Sequence, residues 1–567
     1  MKNLIVSRIL IEIADLLEMQ GVEYKPRAYR KAARTVRSLP RDIEEVKEDG
    51  QLTELPGIGK NIAKKIEEII ETGSSKYHED LKKEFPIDFE ALRSVEGLGP
   101  KTIKLLYTRL GVKDLDDLER AAKTHEIRDL AGMGEKTEQN ILRNLEFARQ
   151  QTGRSLLGFV LPIAEKLKNE LLKHAAVNRV EIAGSIRRRK ETVGDIDILV
   201  TTQKPKDVME HFTGLDSVRH VIAKGEAKST VRLREGLESD LRVIKPESFG
   251  SALMYFTGSK ETNIEMRKLA LKRGLKLNEY GLFENGRQIA GKTEQEVFKH
   301  LGMTYIEPEL RENRGEVEAA LEDRLPQLIS YGDLRGDLQI HTKWSDGSNT
   351  ILEMAKAAKR LGHEYLAITD HTGSLRIAGG LNEQEIMKQM KEIEKVNKAV
   401  EGLTILKGVE VNIKSDGKLD VRDEILRDLD IVVASIHSGF RQGREKLTER
   451  MISAMENENV DIIAHPTGRL IQERKGYELE FEKVFETSAR TSTFLEVNAY
   501  PNQLDLNDTN TKRAIEAGCK LVISTDSHNA DHLRFIQLGT ATARRGWARK
   551  DDIINTLPLN ELMKLMD

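Results

Sequence analysis

The sequence predicts a multidomain protein: an all-α N-terminal region, then an α+β region, then a C-terminal region of alternating strands and helices. A chain of 567 residues is too long for one hydrophobic core and suggests three or four compact units. Apolar residues recur at helical spacing up to about residue 150, whereas strand-like runs such as RVEIAG and DIDILV begin near residue 178. Beyond about residue 335, strands alternate with amphipathic helices, which favours a βα barrel or a doubly wound sheet.

The bulk composition excludes some functions and leaves others open. No apolar run approaches the roughly 18 residues of a membrane span, and a single cysteine, Cys519, cannot form an internal disulfide. We therefore expect a soluble cytoplasmic protein. Its net charge of -3 gives no global argument for nucleic acid binding, so any DNA affinity must come from local clusters. One such cluster runs from Lys25 to Arg37, where a solvated helix face is as good an interpretation as a phosphate track.

A weak internal repeat lies in the helical region: LPGIGKNIAKKI at 55–66, VEGLGPKTIKLL at 95–106 and LAGMGEKTEQNI at 130–141. The glycines permit a tight turn, and the helix that follows offers free N–H groups to a phosphate. One such turn is often a mere helix cap, but three in one region favour helix-hairpin-helix binding of the DNA backbone. The repeat supplies the candidate DNA-binding residues Gly57, Gly59, Lys60, Gly97, Gly99, Lys101, Gly132 and Gly134.

The segment from Gly184 to Asp197 holds a candidate nucleotidyl-transfer site. Asp195 and Asp197 are two apart on a predicted strand, so their carboxylates point to one side and would hold Mg²⁺. Asp240 in ESDLRVI is the candidate third carboxylate. The turn at Gly184 and Ser185 and the arginine run after it offer N–H, hydroxyl and guanidinium groups to a triphosphate. An exposed strand or turn is the other interpretation of Asp-x-Asp alone.

Together with Tyr255-Phe256-Thr257-Gly258-Ser259, this segment resembles the family X DNA polymerases, the relatives of DNA polymerase beta, over residues 1 to about 310. The resemblance implies that Asp195, Asp197 and Asp240 bind two Mg²⁺ ions, which would activate the primer 3′-hydroxyl and hold the triphosphate. It also implies a set of nucleotide-binding positions: Arg154, Gly184, Ser185, Arg188, Gly194, Tyr255, Phe256, Gly258, Asn263 and Arg267.

The N-terminal segments YKPRAYRKAA and LPGIGKNIAKKI resemble the small domain of this family that binds a 5′-phosphate in short gaps. The resemblance implies gap filling in base excision repair, with Lys25 and Tyr29 at the DNA. Lys65 matches the lysine that forms a Schiff base with 5′-deoxyribose phosphate in relatives with lyase activity. A phosphate-contacting or solvated lysine is the other interpretation, because Asn61 and Tyr24 depart from the basic residue and the histidine of such relatives.

The C-terminal region places histidines and carboxylates at the ends of predicted strands. In a βα barrel, strand ends converge on one face, so ligands far apart in sequence meet there. Mixed imidazole and carboxylate ligands suit Mn²⁺ or Zn²⁺, which can activate water for attack on a phosphate ester. The candidate ligands are His341, Asp346, His371, Glu410, His437, His465, Asp526 and His528.

These spacings resemble the polymerase-and-histidinol-phosphatase (PHP) family from about residue 335 onward. The resemblance implies a distorted (β/α) barrel with up to three metal ions and, in polymerases of this architecture, Mn²⁺-dependent 3′-to-5′ exonuclease or 3′-end processing. Gln339 stands where the family has a ninth ligand, a histidine, so we expect weaker metal binding there. A small-molecule phosphatase and a non-catalytic scaffold are the alternatives for this domain.

We predict a monomeric DNA polymerase of the bacterial cytoplasm and nucleoid, without membrane contact, that takes gapped or nicked DNA and deoxynucleoside triphosphates. A DNA-binding protein with inactive sites is the alternative for the whole chain. The expected boundaries are 1–85 and 86–150 for two helix-hairpin-helix domains, 151–250 for the palm, 251–315 for the thumb, 316–334 for a linker and 335–567 for the PHP domain.

Overall fold

The computed structural model describes residues 2–566 apart from 38, 40–42, 96, 131, 152 and 374–378. Glu96 and Ala131, which belong to two of the three repeated motifs, therefore lie outside the described residues. The chain forms two compact units, Met1–Gly153 with Leu470–Lys475, and Arg154–Arg469 with Gly476–Asp567. None of the described helices is both long enough and apolar enough to cross a bilayer.

The first unit is all-α, as the helical spacing of its apolar residues predicts. One continuous core joins its helices, from Val6 and Leu10 near the start to Ile141 and Leu145 near the end. The helices are α1 (Lys2–Gln20), α2 (Lys25–Arg37), α3 (Ile43–Glu48), α4 (Lys60–Thr72), α5 (Lys76–Glu84), α6 (Phe89–Arg93), α7 (Pro100–Leu110), α8 (Leu115–Lys123) and α9 (Glu135–Gln151).

The second unit begins with an α+β palm and thumb. Its elements are β1 (Ser155–Leu156), α10 (Leu157–Leu172), β2 (Val177–Ile182), α11 (Gly184–Arg187), β3 (Thr192–Val193), β4 (Asp195–Thr202), α12 (Pro205–Thr213), β5 (Val218–Lys224), β6 (Lys228–Leu233), β7 (Glu238–Val243), α13 (Phe249–Thr257), α14 (Lys260–Lys272), β8 (Lys276–Asn278), β9 (Gly281–Glu284), β10 (Arg287–Ala290), α15 (Glu294–His300) and α16 (Glu316–Leu321). The palm sheet has the strand order β2-β4-β7-β6-β5. Its two central strands, β4 and β7, are parallel, so the carboxylates on them lie at the same height in the sheet.

A buried ion-pair group ties the palm to the thumb. Glu294, at the start of α15, accepts hydrogen bonds from Arg187 Nη1 at 2.8 Å and from Arg311 Nη1 at 2.6 Å. Both Glu294 and Arg311 are almost fully buried. Burial alone would raise the pKa of Glu294, but the two arginines lower it to about 2, so the carboxylate stays charged.

Residues 316–334, expected to be a linker, are packed at their start. Helix α16 places Val317 and Ala320 in the thumb core. Its first residue, Glu316, is buried and accepts hydrogen bonds from the backbone N–H groups of Asn313 and Arg314 and from Thr262 Oγ1. These hydrogen bonds and the apolar contacts of α16 hold the start of this highly charged segment against the thumb.

The C-terminal part of the second unit is a parallel barrel, as the resemblance to the PHP family implies. Its elements are β11 (Gly336–Ile340), α17 (Ile351–Arg360), β12 (Tyr365–Ile368), α18 (Glu383–Ala399), β13 (Thr404–Asn412), α19 (Asp423–Leu426), β14 (Ile431–Ser435), α20 (Arg444–Met455), β15 (Ile462–Ile463), α21 (Phe481–Thr491), β16 (Phe494–Asn498), α22 (Asp508–Glu516), β17 (Leu521–Ser524), α23 (Ile536–Arg545) and α24 (Leu559–Met566).

The seven strands follow chain order, β11 to β17, and the first and last strands meet. His341 N–H donates to Ser527 O at 2.8 Å just beyond the ends of β11 and β17, where Ile340 and Ser527 form a parallel bridge. A doubly wound sheet would place the first strand inside the sheet. The contact between β11 and β17 therefore identifies the sheet as a barrel and excludes the doubly wound alternative.

Candidate functional site

The palm brings the three predicted carboxylates together. Asp197 on β4 is directly paired with Asp240 on β7, and Asp195 lies two residues before Asp197 on the same face. Burial raises the pKa of Asp197 to about 7, and the charges of Asp195 and Asp240 add to the shift. Burial and Asp240 also raise the pKa of Asp195. Three mutually repelling carboxylates in one place are the arrangement that a divalent cation relieves.

Asp240 has basic and hydroxyl neighbours that the sequence did not single out. Lys228 Nζ lies 2.6 Å and Arg242 Nη2 lies 3.2 Å from Asp240 Oδ2, while Thr230 Oγ1 donates to Asp240 Oδ1 at 2.6 Å. These groups come from the neighbouring strand β6 and from β7 itself. They hold the Asp240 carboxylate in place at the edge of the cluster.

The turn before β4 lies directly against the carboxylates. Gly184 has a φ of +62°, and a Cβ built there would lie 2.5 Å from Asp197 Oδ2, so only glycine fits. Ser185 follows at the start of the short helix α11. Arg154 binds the Thr192 side chain and backbone, and its Nη1 lies 3.7 Å from the position of a Cβ on Gly194. The structure thus gathers four of the predicted nucleotide-binding residues around Asp195 and Asp197.

The arginine run divides between ligand-facing and structural roles. The arginine run offers guanidinium groups to a triphosphate, and the family resemblance points to Arg188 among them. Arg187 is committed to Glu294 and to Thr257 Oγ1, which it binds at 2.7 Å. Arg188 binds Glu312 through Nε at 2.9 Å and the Thr257 carbonyl through Nη1. Arg188 Nη2 makes no hydrogen bond within the described part of the chain, whereas both terminal nitrogens of Arg187 are bound, so Arg188 is the better placed of the two to bind a ligand.

The thumb-proximal residues form a connected set beside the palm. Tyr255 and Phe256 contact each other edge to face at 5.2 Å, and Arg242 lies 4.5 Å above the Phe256 ring. Asn263 Nδ2 donates to the Tyr255 carbonyl at 2.7 Å. Arg267, one turn further along α14, is exposed and donates to the Asn263 carbonyl at 3.3 Å. Gly258, with φ of +72°, packs against Arg188 Nη1.

The barrel gathers all eight predicted ligands at the ends of its strands around Glu410. The Glu410 carboxylate is fully buried. Its oxygens lie 2.9 Å from His371 Nδ1, 3.1 Å from His465 Nε2 and 3.3 Å from His437 Nε2. Burial would raise the pKa of Glu410, but these histidines lower it well below the usual value. Glu410 therefore stays charged and would offer a carboxylate ligand to a divalent ion.

The remaining ligands lie on the other side of Glu410. His341 Nε2 lies 3.1 Å from Asp526 Oδ1 and 3.5 Å from Glu410 Oε2. His528 Nε2 lies 3.3 Å from Asp346 Oδ1. Asp346 and His528 are the more exposed members, so the cluster opens to solvent on their side.

Two groups in the described chain have the spacing to hold an ion: His341, Asp346, His371 and His528; and His371, Glu410 and His437. Among their buried polar atoms, His341 Nδ1 lacks a hydrogen-bond partner, and His341 Nε2 and Glu410 Oε2 have close ionic neighbours without hydrogen-bond geometry. Buried imidazole nitrogens without partners are uncommon unless they bind a metal. The donor set therefore fits divalent metal ions.

Gln339 faces a second buried carboxylate instead of completing the ligand set. With its amide nitrogen turned inward, Gln339 Nε2 lies 3.2 Å from Glu496 Oε2. Glu496 also accepts from the His465 backbone N–H at 2.6 Å and from Asn498 Nδ2 at 3.3 Å. Burial raises the pKa of Glu496 well above its usual value. The amide donates to this carboxylate, whereas the histidine usual in the family would offer a metal ligand.

The three glycine turns of the first unit share one geometry. The first glycine of each motif, at 57, 97 and 132, has a φ between +82° and +94°. The second precedes a helix: Gly59 and Gly99 cap α4 and α7 in extended conformation without a capping side chain, and Gly134 precedes α9. Exposed backbone N–H groups at such a start suit a phosphate. Lys60 is exposed at the start of α4, and Lys101 is exposed in the first turn of α7.

The third turn differs in charge. Glu135 and Glu138 lie in the first turn of α9, and Glu138 is buried and bound by Arg128 and His125. Carboxylates at this position compete with a phosphate for the same N–H groups. The two earlier turns are therefore better suited to DNA than the one at Gly132 and Gly134.

The N-terminal basic cluster is partly structural. Arg30 binds Asp15 and Glu18, each at 2.5 Å. Tyr29, predicted to contact DNA, is buried and stacks on Tyr77 at 6.4 Å, and burial raises its pKa to about 12. Tyr29 therefore packs beneath the surface of this cluster, whereas Lys25 is exposed at the start of α2.

Lys65 lies on the other aromatic ring of this pair. Its Nζ is 4.7 Å from the centre of the Tyr77 ring and donates to the Asn61 carbonyl at 3.2 Å. Partial burial lowers the pKa of Lys65, and the charge of Lys25 lowers it further. A lowered pKa increases the share of neutral amine, the form that attacks a carbonyl.

Residues far from the motifs also build these sites. Glu312 and Arg545 form hydrogen bonds with Arg188, and Glu496 accepts a hydrogen bond from Gln339. Glu312 lies in the charged segment RENR, and Arg545 in ARRGW. Neither stretch has a spacing that predicts a site, so only the fold reveals them.

Comparisons with family models agree with this architecture along the chain. A helix-hairpin-helix domain matches residues 1–75, a SAM-like helix-hairpin-helix tandem matches 89–146, the DNA polymerase beta palm matches 160–242, the DNA polymerase beta thumb matches 252–312, and the PHP domain matches 337–499. The chain is 40% identical over 562 residues to the DNA polymerase/3'-5' exonuclease PolX of Bacillus subtilis (strain 168), with 98% of both chains covered. The chain belongs to the family X DNA polymerases that carry a C-terminal PHP domain.

Two further relatives of this family X polymerase each match only a part of the chain. DNA polymerase lambda of Rattus norvegicus is 26% identical over 340 residues, covering 55% of this chain and 56% of that protein. A protein of Thermoanaerobacter sp. (strain X514) that is named a probable phosphatase is 30% identical over 231 residues, covering 39% of this chain and 89% of its own length. The family X architecture implies DNA and nucleotide substrates and divalent metals in both sites.

Proposed function

We propose that this polymerase fills short gaps in DNA during base excision repair and processes 3′ ends with its C-terminal barrel. The observation that carries the first half is the direct pairing of Asp197 with Asp240 beside Asp195 and Gly184. In this proposal Arg188 and Arg154 bind the nucleotide phosphates. Tyr255, Phe256, Asn263 and Arg267 border the sugar and base, and the glycine turns at 57–59 and 97–99 hold the DNA backbone.

The palm carboxylates would hold Mg²⁺, which when bound supplies charge neutralisation for the phosphates and a lower pKa for the primer hydroxyl. The protein itself orients the partners. Ser185 and the Gly184 turn present hydroxyl and N–H groups beside the carboxylates, and Lys228 and Arg242 hold the Asp240 carboxylate in place.

The second half rests on the cluster of eight ligands around Glu410. Mn²⁺ or Zn²⁺ held there would supply a water nucleophile at neutral pH. The opening beside Asp346 and His528 gives a 3′ end access to the cluster. Because Gln339 is bound to Glu496, we propose two ions in this site, one in each of the two groups, rather than the three of a complete ligand set.

The test is a labelled primer on a gapped duplex, with Mg²⁺ or Mn²⁺ and with or without nucleotides. We expect Asp195→Ala to abolish extension and leave primer shortening intact, and His341→Ala to do the reverse. If the wild-type chain extends the primer but never shortens it, the barrel is a non-catalytic scaffold. A chain that binds the duplex but never extends the primer would be a DNA-binding protein with inactive sites.

A second activity is favoured by Lys65. Its lowered pKa and its place on Tyr77, near Lys25, support attack on the C1′ aldehyde of a 5′-deoxyribose phosphate. Borohydride trapping of the Schiff base on an incised abasic duplex tests this. We expect Lys65→Arg to lose the trapped adduct and the exposed neighbour Lys64→Arg to keep it; equal trapping by both would exclude Lys65 as the nucleophile.

The remaining expectations are proposals of the same kind. We propose that the domains run over 1–85, 86–150, 151–250, 251–315 and 335–567, and that the polymerase works as a monomer in the bacterial cytoplasm, associated with the nucleoid. Light scattering in the presence and absence of gapped DNA tests the monomer.

A further inference from the structure

The nucleotide-binding loop of the palm is held by a side chain from the C-terminal domain. Arg545 is the last residue of α23, far beyond the polymerase domains in sequence, and only 4% of its side chain is exposed. Its Nη1 donates to the backbone carbonyl of Arg188 at 2.7 Å and to Glu312 Oε1 at 3.0 Å. Its Nη2 donates to Asp508 Oδ2 at 2.6 Å.

Glu312 joins Arg545 to the side chain of Arg188. The same oxygen, Oε1, accepts from Arg188 Nε at 2.9 Å, and Lys190 Nζ lies 3.5 Å from Oε2. Burial alone would raise the pKa of Glu312, but Arg545, Arg188 and Lys190 lower it. The result is a chain of alternating charges, Asp508, Arg545, Glu312 and Arg188, that ends at the predicted triphosphate site.

We propose that Arg545 is a positioning residue for nucleotide binding, which makes the C-terminal domain part of the polymerase site. Arg545 fixes the backbone of Arg188 and neutralises the charge of Glu312. The positive charge of the Arg188 guanidinium is then not offset by Glu312 and can act on a nucleotide phosphate. Without Arg545, Glu312 would rely on Arg188 and Lys190 alone, and its charge would repel the triphosphate. This inference rests on the proposed role of Arg188 in binding the nucleotide.

Arg544, the preceding residue, provides a matched control. It also comes from α23, and it binds the thumb through Glu309 at 2.8 Å and the Ile329 carbonyl at 2.7 Å. None of its hydrogen bonds in the described structure goes to Arg188 or Glu312. A change at Arg544 therefore disturbs the attachment of the same helix to the polymerase part without removing a hydrogen bond to Arg188 or Glu312.

The experiment measures single-nucleotide insertion on a gapped duplex with full-length variants. We expect Arg545→Met to raise the KM for the incoming nucleotide about tenfold, as for one lost charge-assisted contact, with kcat changed less than threefold. Arg544→Met should leave that KM within about twofold of wild type. Arg545→Lys, which keeps the charge beside Glu312, should recover most of the loss.

A double variant separates positioning from loss of domain packing. If the unneutralised Glu312 charge is the cause, Glu312→Gln should lower the KM of Arg545→Met towards wild type; loosened packing would not be repaired by it. An unchanged KM in Arg545→Met, equal rises in the two arginine variants, or no repair by Glu312→Gln would each overturn the inference.

Arg188→Gln separates this inference from the proposed nucleotide site. A raised KM in Arg188→Gln with a normal KM in Arg545→Met would reject only the positioning role. A normal KM in Arg188→Gln would reject the nucleotide-binding role of Arg188 and this inference together.

Discussion

The palm and the barrel hold metal ligands in opposite ways. The palm has three carboxylates on two adjacent strands, and burial together with the charges of the neighbouring carboxylates raises the pKa of Asp195 and Asp197. The barrel has eight ligands from separate strand ends, and its histidines lower the pKa of the central Glu410. An ion in the palm needs the substrate phosphates to complete its ligands, whereas the barrel supplies imidazole and carboxylate donors itself.

This difference separates a substrate-dependent site from a preformed one. In the palm, a divalent cation bound together with the nucleotide would relieve the repulsion that remains among the carboxylates. In the barrel, the buried Glu410 is already balanced by surrounding imidazoles. We therefore expect the palm to lose its ions readily on dialysis and the barrel to retain them.

The largest expected effect comes from the palm. Asp197→Asn removes one of the paired charges and should reduce primer extension about 10³-fold or more, because several kcal/mol of metal and phosphate binding is lost. Shortening of the primer should stay within twofold of wild type. The control is Asp207→Asn, an exposed carboxylate on α12. Extension that survives Asp197→Asn would remove Asp197 from the reaction.

The reciprocal change is in the barrel. Glu410→Gln removes the charge shared by four histidines and should reduce Mn²⁺-dependent shortening about 10²-fold or more, with metal lost from the purified protein. Elemental analysis and the exonuclease assay measure both, and extension should be unchanged. Glu394→Gln, on the exposed face of α18, is the control. Retained metal in Glu410→Gln would contradict the role of this carboxylate as a metal ligand.

Glu294 is a carboxylate between two arginines, and its pKa is lowered, whereas the pKa values of Asp195 and Asp197 in the palm are raised. Glu294, between Arg187 and Arg311, has a pKa of about 2 against the ordinary 4.5, a difference worth about 3 kcal/mol of stability. Because the folded pKa is lowered, this stability is present above pH 4.5 and is lost as the pH falls from 4.5 towards 2.

Thermal unfolding of the palm and thumb checks this. We expect Glu294→Gln to lower the free energy of unfolding by about 3 kcal/mol at pH 7, with a smaller difference from wild type below pH 4.5. Glu265→Gln, in an exposed pair with Lys268, should cost less than about 0.5 kcal/mol. A difference that does not change with pH would mean that packing, not charge, is what Glu294 contributes.

The sequence predicted the parts of the fold and site that depend on local spacing. Two-residue alternation placed Asp195 and Asp197 on one face, and strand ends predicted where the barrel histidines meet. Barrel or open sheet could not be decided, because closure depends on the long-range contact of Ile340 with Ser527.

Side-chain partners from distant segments could not be predicted either. Glu312 and Arg545 lie in charged stretches that resemble any solvated surface, and Arg187 looks as available as Arg188 until Glu294 is found beside it. Tyr29 was expected at the DNA because its segment is basic, yet its ring is buried against Tyr77. Burial and partner identity are properties of the packed structure, not of spacing.

The smallest expected effect concerns the one ligand position that departs from the family. Gln339→His replaces an amide that donates to Glu496 with an imidazole that can bind a metal. We expect about one more ion per chain at saturating Mn²⁺ and an exonuclease rate raised by up to about tenfold, a smaller change than the loss of Glu410 because the two existing groups already bind. Elemental analysis against Gln384→His, an exposed glutamine on α18, measures the gain. If the ion count stays the same, Glu496 binds the new imidazole as it binds the amide. The low number of ions would then depend on Glu496 as well as on Gln339.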